Sequence, residues 1–595
     1  MELLNLDGVI EKGVFEIPSY QRGYAWQERQ LKDFWNDLEH VSKLGDKFHY
    51  MHSLTLRKSD DDFGDIDFEI IDGQQRLATS LILLGLLAKI TQNKDPKYSL
   101  INLELVLSYK YYGLNEAFRA ITEEEDLEKF KTSFYAKNLI EAYEFFQEKI
   151  RNLPNTTLNK LLDALTKKML FSVVELNDNR IDPFSSFETI NNRGKDLSTL
   201  ELFKNRLHFV AHKICDEGDL ENLQQEINDT YTRIYHDLRF FEDAHLEDFL
   251  KHFVAYYYGE NSKFKERLLD TAFDAHKKYD DLYDEYEKIN DLLLYLSYSS
   301  KVWYFLHTLD DEELRIEITP KTHILLEKMR RLNALSYNAF LPLLLSLLTI
   351  QLAVRSGSER HYTTKELEGL LEYLERFGFL VYGVAGRDTA KNEWIESAFR
   401  AFQACRFWED KITIEDLPTL EKHFFKGKHS GLELLEENIH SKKNTEKWYK
   451  WGKALNYLLY EYELYHNPET TLNFDSSIES IEHILPQKPD QGYSVKEKSW
   501  AKNPHVVHAL GNLLLIPKNA NSSLSNKPFD EKRKAYLKGS YSEKEVAKNA
   551  TFGVVEIQKR SEKLLDFLIA RYNIAELVGE SEIKAFKNAL LKAIK

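Results

Sequence analysis

Between Ser477 and Phe529 the chain carries residues whose types and order suit phosphodiester cleavage. Glu482-His483 is followed by Pro486, Asn512 opens an apolar run, and Asn521 lies nine positions further on in a polar stretch. Hydrolysis at one metal needs a neutral imidazole to take a proton from the attacking water. It also needs a hard divalent cation to polarise the phosphate and stabilise the leaving oxygen. Mg2+ (or Mn2+) takes oxygen donors and keeps several waters, so one carboxylate and one amide oxygen from the protein suffice. On this chemistry His483 is the candidate base, Glu482 and Asn521 the candidate metal ligands, and Asn512 the residue that fastens the His loop through side-chain to backbone hydrogen bonds. Adjacent strand residues face opposite ways. Glu482 and His483 can therefore both serve only where the strand ends or bends; otherwise Glu479 takes the ligand place.

The elements that must hold these residues are short. Asn521 lies in a stretch that reads as the start of a helix. KWYKWGKALNYLLYEYE at 447–463 reads as a helix leading in, and DEKRKAYL and FGVVEIQKRSEKLLDFLIARY as flanking helices, with Lys532, Arg533 and Lys534 as candidate phosphate contacts. Net charge over the whole chain is −16, yet residues 483–550 carry twelve Lys/Arg against six Asp/Glu, a net of +6. A local basic field in an acidic protein is what a confined nucleic-acid site looks like.

Three polar turns near the N-terminus also carry chemistry. The first is Gln21-Arg22-Gly23-Tyr24-Ala25-Trp26, after a short strand at Phe15–Ile17. Its guanidinium suits a phosphate and its rings suit a base, although for this turn taken alone core packing of Tyr24 and Trp26, with Arg22 on a carboxylate, is the favoured reading. The second, Asp72-Gly73-Gln74-Gln75-Arg76, joins a strand at Phe68–Ile71 to a buried helix from Leu77. A strand, a Gly turn and a helix N-terminus make an anion site; Asp72 suits a metal and Arg76 a phosphate, while a plain capped turn reads as well. The third is Asn191-Asn192-Arg193-Gly194, ahead of a helix start with Ser198 as N-cap and Glu201 completing a capping box.

Two resemblances follow. The Glu-His-x-x-Pro step, the LGNL asparagine and Asn521, in that order and spacing, resemble the HNH nuclease module, a β-hairpin and helix around one metal. IPSYQRGYAW, IDGQQRLATS and FETINNRGKDLSTLELFKN together look like the N-terminal domain of the GmrSD-like family of modification-dependent (type IV) restriction systems. That domain is similar to the ParB/sulfiredoxin fold and binds and hydrolyses nucleoside triphosphates. The resemblance turns the three turns into one nucleotide pocket: Gln21 and Arg22, then Asp72, Gln74, Gln75 and Arg76, then Asn192 and Arg193. Gly23 stands where many members have Pro, and Ala78 where Thr is usual; neither change removes a charge.

With 595 residues, 43% apolar and 30% charged, the chain reads as globular, with apolar runs too short to span a bilayer. Two distant cysteines, Cys215 and Cys405, exclude a four-cysteine zinc site. The expected layout is mixed but mostly α. It comprises a ParB/sulfiredoxin-like α/β nucleotide domain (1–215), a helical connector (216–440) and an HNH-like ββα-metal nuclease domain with flanking helices (441–595). LLEKMRRLNALSYNAFLPLLLSLLTIQLAV within the connector reads as two packed helices. The implied function is a cytoplasmic antiphage restriction endonuclease. It cuts or nicks modified phage DNA with Mg2+ under nucleoside triphosphate control, without a membrane, and a homo-oligomer is compatible with it. Two alternatives stay open: a nucleotide-switched DNA-binding regulator with an inactive nuclease, and a nuclease acting on RNA.

Overall fold

The computed structural model describes residues 2–594 apart from 19–20, 60–65, 94, 96–97, 99–105, 111–112, 124–125, 177–197, 275–276, 280, 311–313, 315–317, 355–360, 408–409, 442–446, 475–477 and 490–491. The chain divides into two compact units, Met1–Arg315 and Ile316–Lys595, so the middle region 216–440 is shared between them. Both are mostly helical. Among the described residues no helix is long and apolar enough to cross a membrane.

The first unit holds a small mixed sheet of six strands: β1 (Glu2–Asn5), β2 (Phe15–Ile17), β3 (His49–Lys58), β4 (Phe68–Asp72), β5 (Leu107–Tyr109) and β6 (Met169–Glu175). Their order is β1-β6-β3-β4-β2-β5. β3 runs antiparallel to β4 and parallel to β6, while β2 lies parallel to both β4 and β5. The strands expected at 15–17 and 68–71 are therefore present within a residue. After β4 the chain turns at Gly73 into the helix Gln74–Ile90. Gly73 has φ +94°, and a Cβ there would lie 2.9 Å from the Ser53 carbonyl oxygen, so the turn requires glycine. The helix it opens is buried from Leu77 to Ala88 and packs on the helices Phe134–Ile150 and Asn155–Lys167. An apolar surface on every side suits a helix covered all round. Ser198 and Glu201 form the expected capping box at the head of the helix Thr199–Ile214.

In the second unit the expected pair of helices is present as Pro320–Ala334 and Leu341–Ala353. They do not pack chiefly on each other: the first lies on Thr364–Phe377 and the second on Lys391–Phe407. The stretch 447–463 is not one helix either. A 3-10 turn, Lys447–Trp451, is separated by Gly452 at φ +71° from the helix Lys453–His466. Further on, β7 (Glu479–His483) and β8 (Leu513–Pro517) form an antiparallel hairpin, and the helix Lys518–Leu524 follows at once. The hairpin is bedded on a core that includes Ile484, Leu514, Ile516, Phe529, Tyr536 and Ile557. The helix Val554–Arg571 crosses so close to the Leu510–Asn512 turn that a Cβ on Gly511 would collide with the Ile557 carbonyl.

Candidate active site

The β7–β8 register sets Glu482 opposite Leu514 and His483 opposite Leu513. β7 ends at His483 and the chain then bends into the core at Ile484 and Leu485. That ending lets two adjacent residues line one cleft. Asn512, fully buried, makes the bend. Its Oδ1 accepts from Leu485 N at 2.8 Å, and its Nδ2 donates to Leu485 O at 2.9 Å and to Val507 O at 2.7 Å. One amide thereby ties down the segments after His483 and before His508. Arg560 supports the turn from behind, donating to the carbonyls of Gly511 and Leu513.

His483 is nearly buried, and its ring is held at both nitrogens. Nε2 lies 2.9 Å from His508 Nδ1, and Nδ1 lies 3.3 Å from Gln487 Nε2. An amide nitrogen only donates, so His483 Nδ1 presents its lone pair. With the Gln487 amide in this orientation, the tautomer that satisfies both contacts carries its proton on Nε2, toward His508 Nδ1. Burial, then His508 and Lys532, push the His483 pKa down to about 3, so the imidazole is neutral at pH 7. The Tyr449 ring lies against both histidines, 4.8 Å from His483 and stacked on His508 at 5.8 Å.

Glu482 accepts at Oε1 from Lys532 Nζ at 2.5 Å and from Tyr536 OH at 3.0 Å. Burial raises the Glu482 pKa and lowers that of Lys532, with each partner opposing the shift. Lys532, expected as an exposed phosphate contact, is instead completely buried and also donates to the His483 carbonyl at 2.8 Å. Its place on the inner face of the helix Phe529–Tyr536 explains the difference. Asn521 donates through Nδ2 to Ser480 Oγ and to the Ile481 carbonyl, which directs its oxygen to the other side of the amide. Glu482, His483, Gln487, Lys488, Asn521 and Tyr449 line one cavity of about 270 Å³. Glu479 has no part in it; its carboxylate accepts from Asn473 N.

In the first unit, two of the three polar turns meet. Gln74 and Gln75 donate to the carbonyls of Arg22 and Gly23, Gln75 Oε1 accepts from Ala25 N at 2.8 Å, and Gln21 donates to the Ile71 carbonyl. Arg22 pairs with Glu201 at 3.1 Å, and Arg76 with Asp72 at 3.2 Å. Tyr24 is fully buried with its hydroxyl on Thr79, so it is a core ring and not a stacking platform. Asn192 and Arg193 lie outside the described residues.

Residues 3–208 match the family model of the GmrSD restriction endonuclease N-terminal domain. Residues 435–567 match that of the GmrSD restriction endonuclease C-terminal domain, which spans the whole cleft. The chain belongs to the GmrSD restriction endonuclease family. No curated protein matches it at significant similarity. Membership assigns a restriction endonuclease role, and with it DNA as the partner.

The GmrSD C-terminal match contains four residues that sequence reasoning passed over or misplaced: His508, Gln487, Tyr449 and Lys532. His508 stands four positions before Asn512 in HALGN, and Gln487 directly follows Pro486. Their proximity in sequence to the motif was the available signal. The ring-to-ring contact was not, because it depends on how the 503–512 segment folds back. In the GmrSD N-terminal match the unanticipated partner is Glu201, noted in the sequence only for its helix cap.

Proposed function

We propose that the second unit is an HNH-type ββα-metal nuclease that cuts or nicks DNA with Mg2+, and that the first unit is a ParB/sulfiredoxin-like domain that controls it by binding and hydrolysing a nucleoside triphosphate. The observation that carries this reading is the proton arrangement at His483. The ring is held neutral by burial, its Nε2 lies 2.9 Å from His508 Nδ1, and its Nδ1 faces the cleft-lining Gln487 amide. A water molecule donating to Nδ1 would replace that long amide contact and lose its proton to the ring.

The donor set fits a hard cation. Glu482 takes two side-chain contacts on Oε1 and a backbone contact from His483; its carboxylate would give the metal one oxygen, and the Asn521 amide, anchored by its nitrogen, the other. Among the described residues no three His, Cys, Asp or Glu side chains come together as a cage, so a cation here rests on these two oxygens and water, as Mg2+ does. Bound there, it supplies charge to polarise the phosphate and stabilise the leaving oxygen.

For the first unit, support comes from the meeting of the QRG and DGQQR turns at a helix N-terminus, with Arg22 and Arg76 each held by a carboxylate that a polyphosphate would displace. Modified phage DNA is the substrate that a type IV system of this family takes. Incubation with plasmid, modified phage DNA and total RNA side by side, with and without Mg2+ and nucleoside triphosphates, tests the reading. Cutting confined to modified DNA supports it, and cutting confined to RNA replaces it.

A further inference from the structure

A second cavity in the same unit, of about 390 Å³, belongs to no motif. It is within the size range of small-ligand sites. Three aromatic residues, Tyr337, Tyr382 and Trp451, wall it, and Asn438 and Lys450 bring an amide and an ammonium. Two of the rings are pinned by their polar edges. Trp451 Nε1 donates to the Gly383 carbonyl at 3.2 Å; the Tyr382 hydroxyl donates to the Thr389 carbonyl at 3.2 Å and accepts from Trp394 Nε1 at 2.9 Å. Rings fixed at their edges offer faces that need no reordering on binding, which limits the entropic cost of capture.

Trp451 packs against the π-helical turn Gly378–Val384, an uncommon element that recurs at functional sites, which supplies Tyr382, Gly383 and Val384 to the lining. A Cβ on Gly383 would meet the Phe379 ring at 3.1 Å, so the glycine lets that ring pack on the turn, with Tyr337 at contact distance beside it. The planar faces suit one ligand class, a flat heterocycle.

The location selects the source. Tyr449, Lys450 and Trp451 are consecutive on the 3-10 turn Lys447–Trp451. Tyr449 lies on His483 and His508 and lines the catalytic cleft, while Lys450 and Trp451 line the aromatic cavity. One short turn thus supplies neighbouring residues to both cavities. We propose that the aromatic cavity receives a nucleobase extruded from the DNA strand whose phosphate lies at His483. The proposal rests on the nuclease reading of the cleft. Extrusion is easiest for a base whose pairing is already weakened.

The test uses the full-length His483→Ala protein, which binds without cutting, and fluorescence anisotropy with a paired duplex, the same duplex carrying single mismatches, and the single strand. The expected result is about tenfold tighter binding of a mismatched duplex, with the preference lost in Tyr337→Ala and in the milder Trp451→Phe combined with Tyr337→Leu, each checked for an unchanged melting curve. Single-strand binding should also weaken in these variants. Equal binding of paired and mismatched duplexes overturns the proposal, as does a preference that survives both variants. Binding of a free nucleoside monophosphate that depends on Tyr337, without any mismatch preference, assigns the cavity to a free nucleotide and overturns it as well. Failure of the wild-type protein to cut any DNA with Mg2+ sinks the cleft reading itself, which is a separate result from the binding series.

Discussion

His483 Nε2 and His508 Nδ1 are 2.9 Å apart, and the bond between them fixes which nitrogen of His483 faces the cleft. A base that must offer a lone pair needs its other nitrogen occupied by an acceptor. In the proposed tautomer His508 is that acceptor, and Asn512 holds the chain on either side of the pair.

Replacement of His508 by Ala should therefore lower kcat with KM little changed, by about 10- to 100-fold if it acts on the scale of the outer-shell partners that orient metal-site imidazoles. His508→Asn keeps an oxygen able to accept the Nε2 proton and should recover part of the loss. Steady-state cleavage kinetics on a defined duplex give the split. An identical loss in both variants would show that His508 acts only as packing.

Asn512→Ala should be costly to stability. It strips partners from Leu485 N, Leu485 O and Val507 O in a fully buried site. At about 1–3 kcal/mol per orphaned group, a loss of roughly 3–5 kcal/mol is expected in urea unfolding of the second unit. A variant that unfolds at the wild-type midpoint would contradict the fastening role.

Arg76→Ala and Asp72→Ala should each abolish nucleoside triphosphate hydrolysis. Both residues sit at the Gly73 turn, and their mutual pair is the one a phosphate would break. Phosphate release assays decide this, and normal turnover in both variants would remove the proposed pocket.

The second unit should lose stability in acid for an identifiable reason. Glu461 is almost fully buried; burial works to raise its pKa, but Lys328, Arg331 and Arg571 outweigh it and hold the pKa below the ordinary carboxylate value. A carboxylate whose folded pKa is depressed stabilises the fold above its unfolded pKa of about 4.3, and that contribution is lost as pH falls through the folded value. Glu461→Gln should cost about 3–5 kcal/mol at pH 7 by leaving buried cations uncompensated. The gap to wild type should narrow as pH drops below about 4. Urea titrations of both proteins across pH 3–7 would show it, and a gap independent of pH would refute it.

Much of this was legible from residue order. Glu482, His483 and Asn521 fall in one cleft, with Asn512 fastening it from the core behind, because short-range features set them: a strand that ends at His483, a glycine that admits a crossing helix, and an asparagine between two backbone segments. The Ser198–Glu201 cap and the Gly73 turn were legible for the same reason. Long-range pairing was not. Lys532 reads as one more lysine in a basic stretch, and only the packing of its helix turns it inward onto Glu482. Gln74 and Gln75 read as ligand groups, yet their amides here fasten the 21–25 loop, since a buried loop must find partners for its backbone. Periodicity located the helices at 320–334 and 341–353 but not the later helices on which they pack.

The most direct test of the account is plasmid cleavage with Mg2+ by wild-type and His483→Ala proteins, run beside nucleotide hydrolysis by the same preparations. Loss of the proposed general base should reduce cleavage by a factor on the order of 10²–10⁴, while the nucleotide hydrolysis proposed for the first unit should continue at the wild-type rate. Full cleavage by the His483→Ala protein would contradict the assignment of His483 as the base.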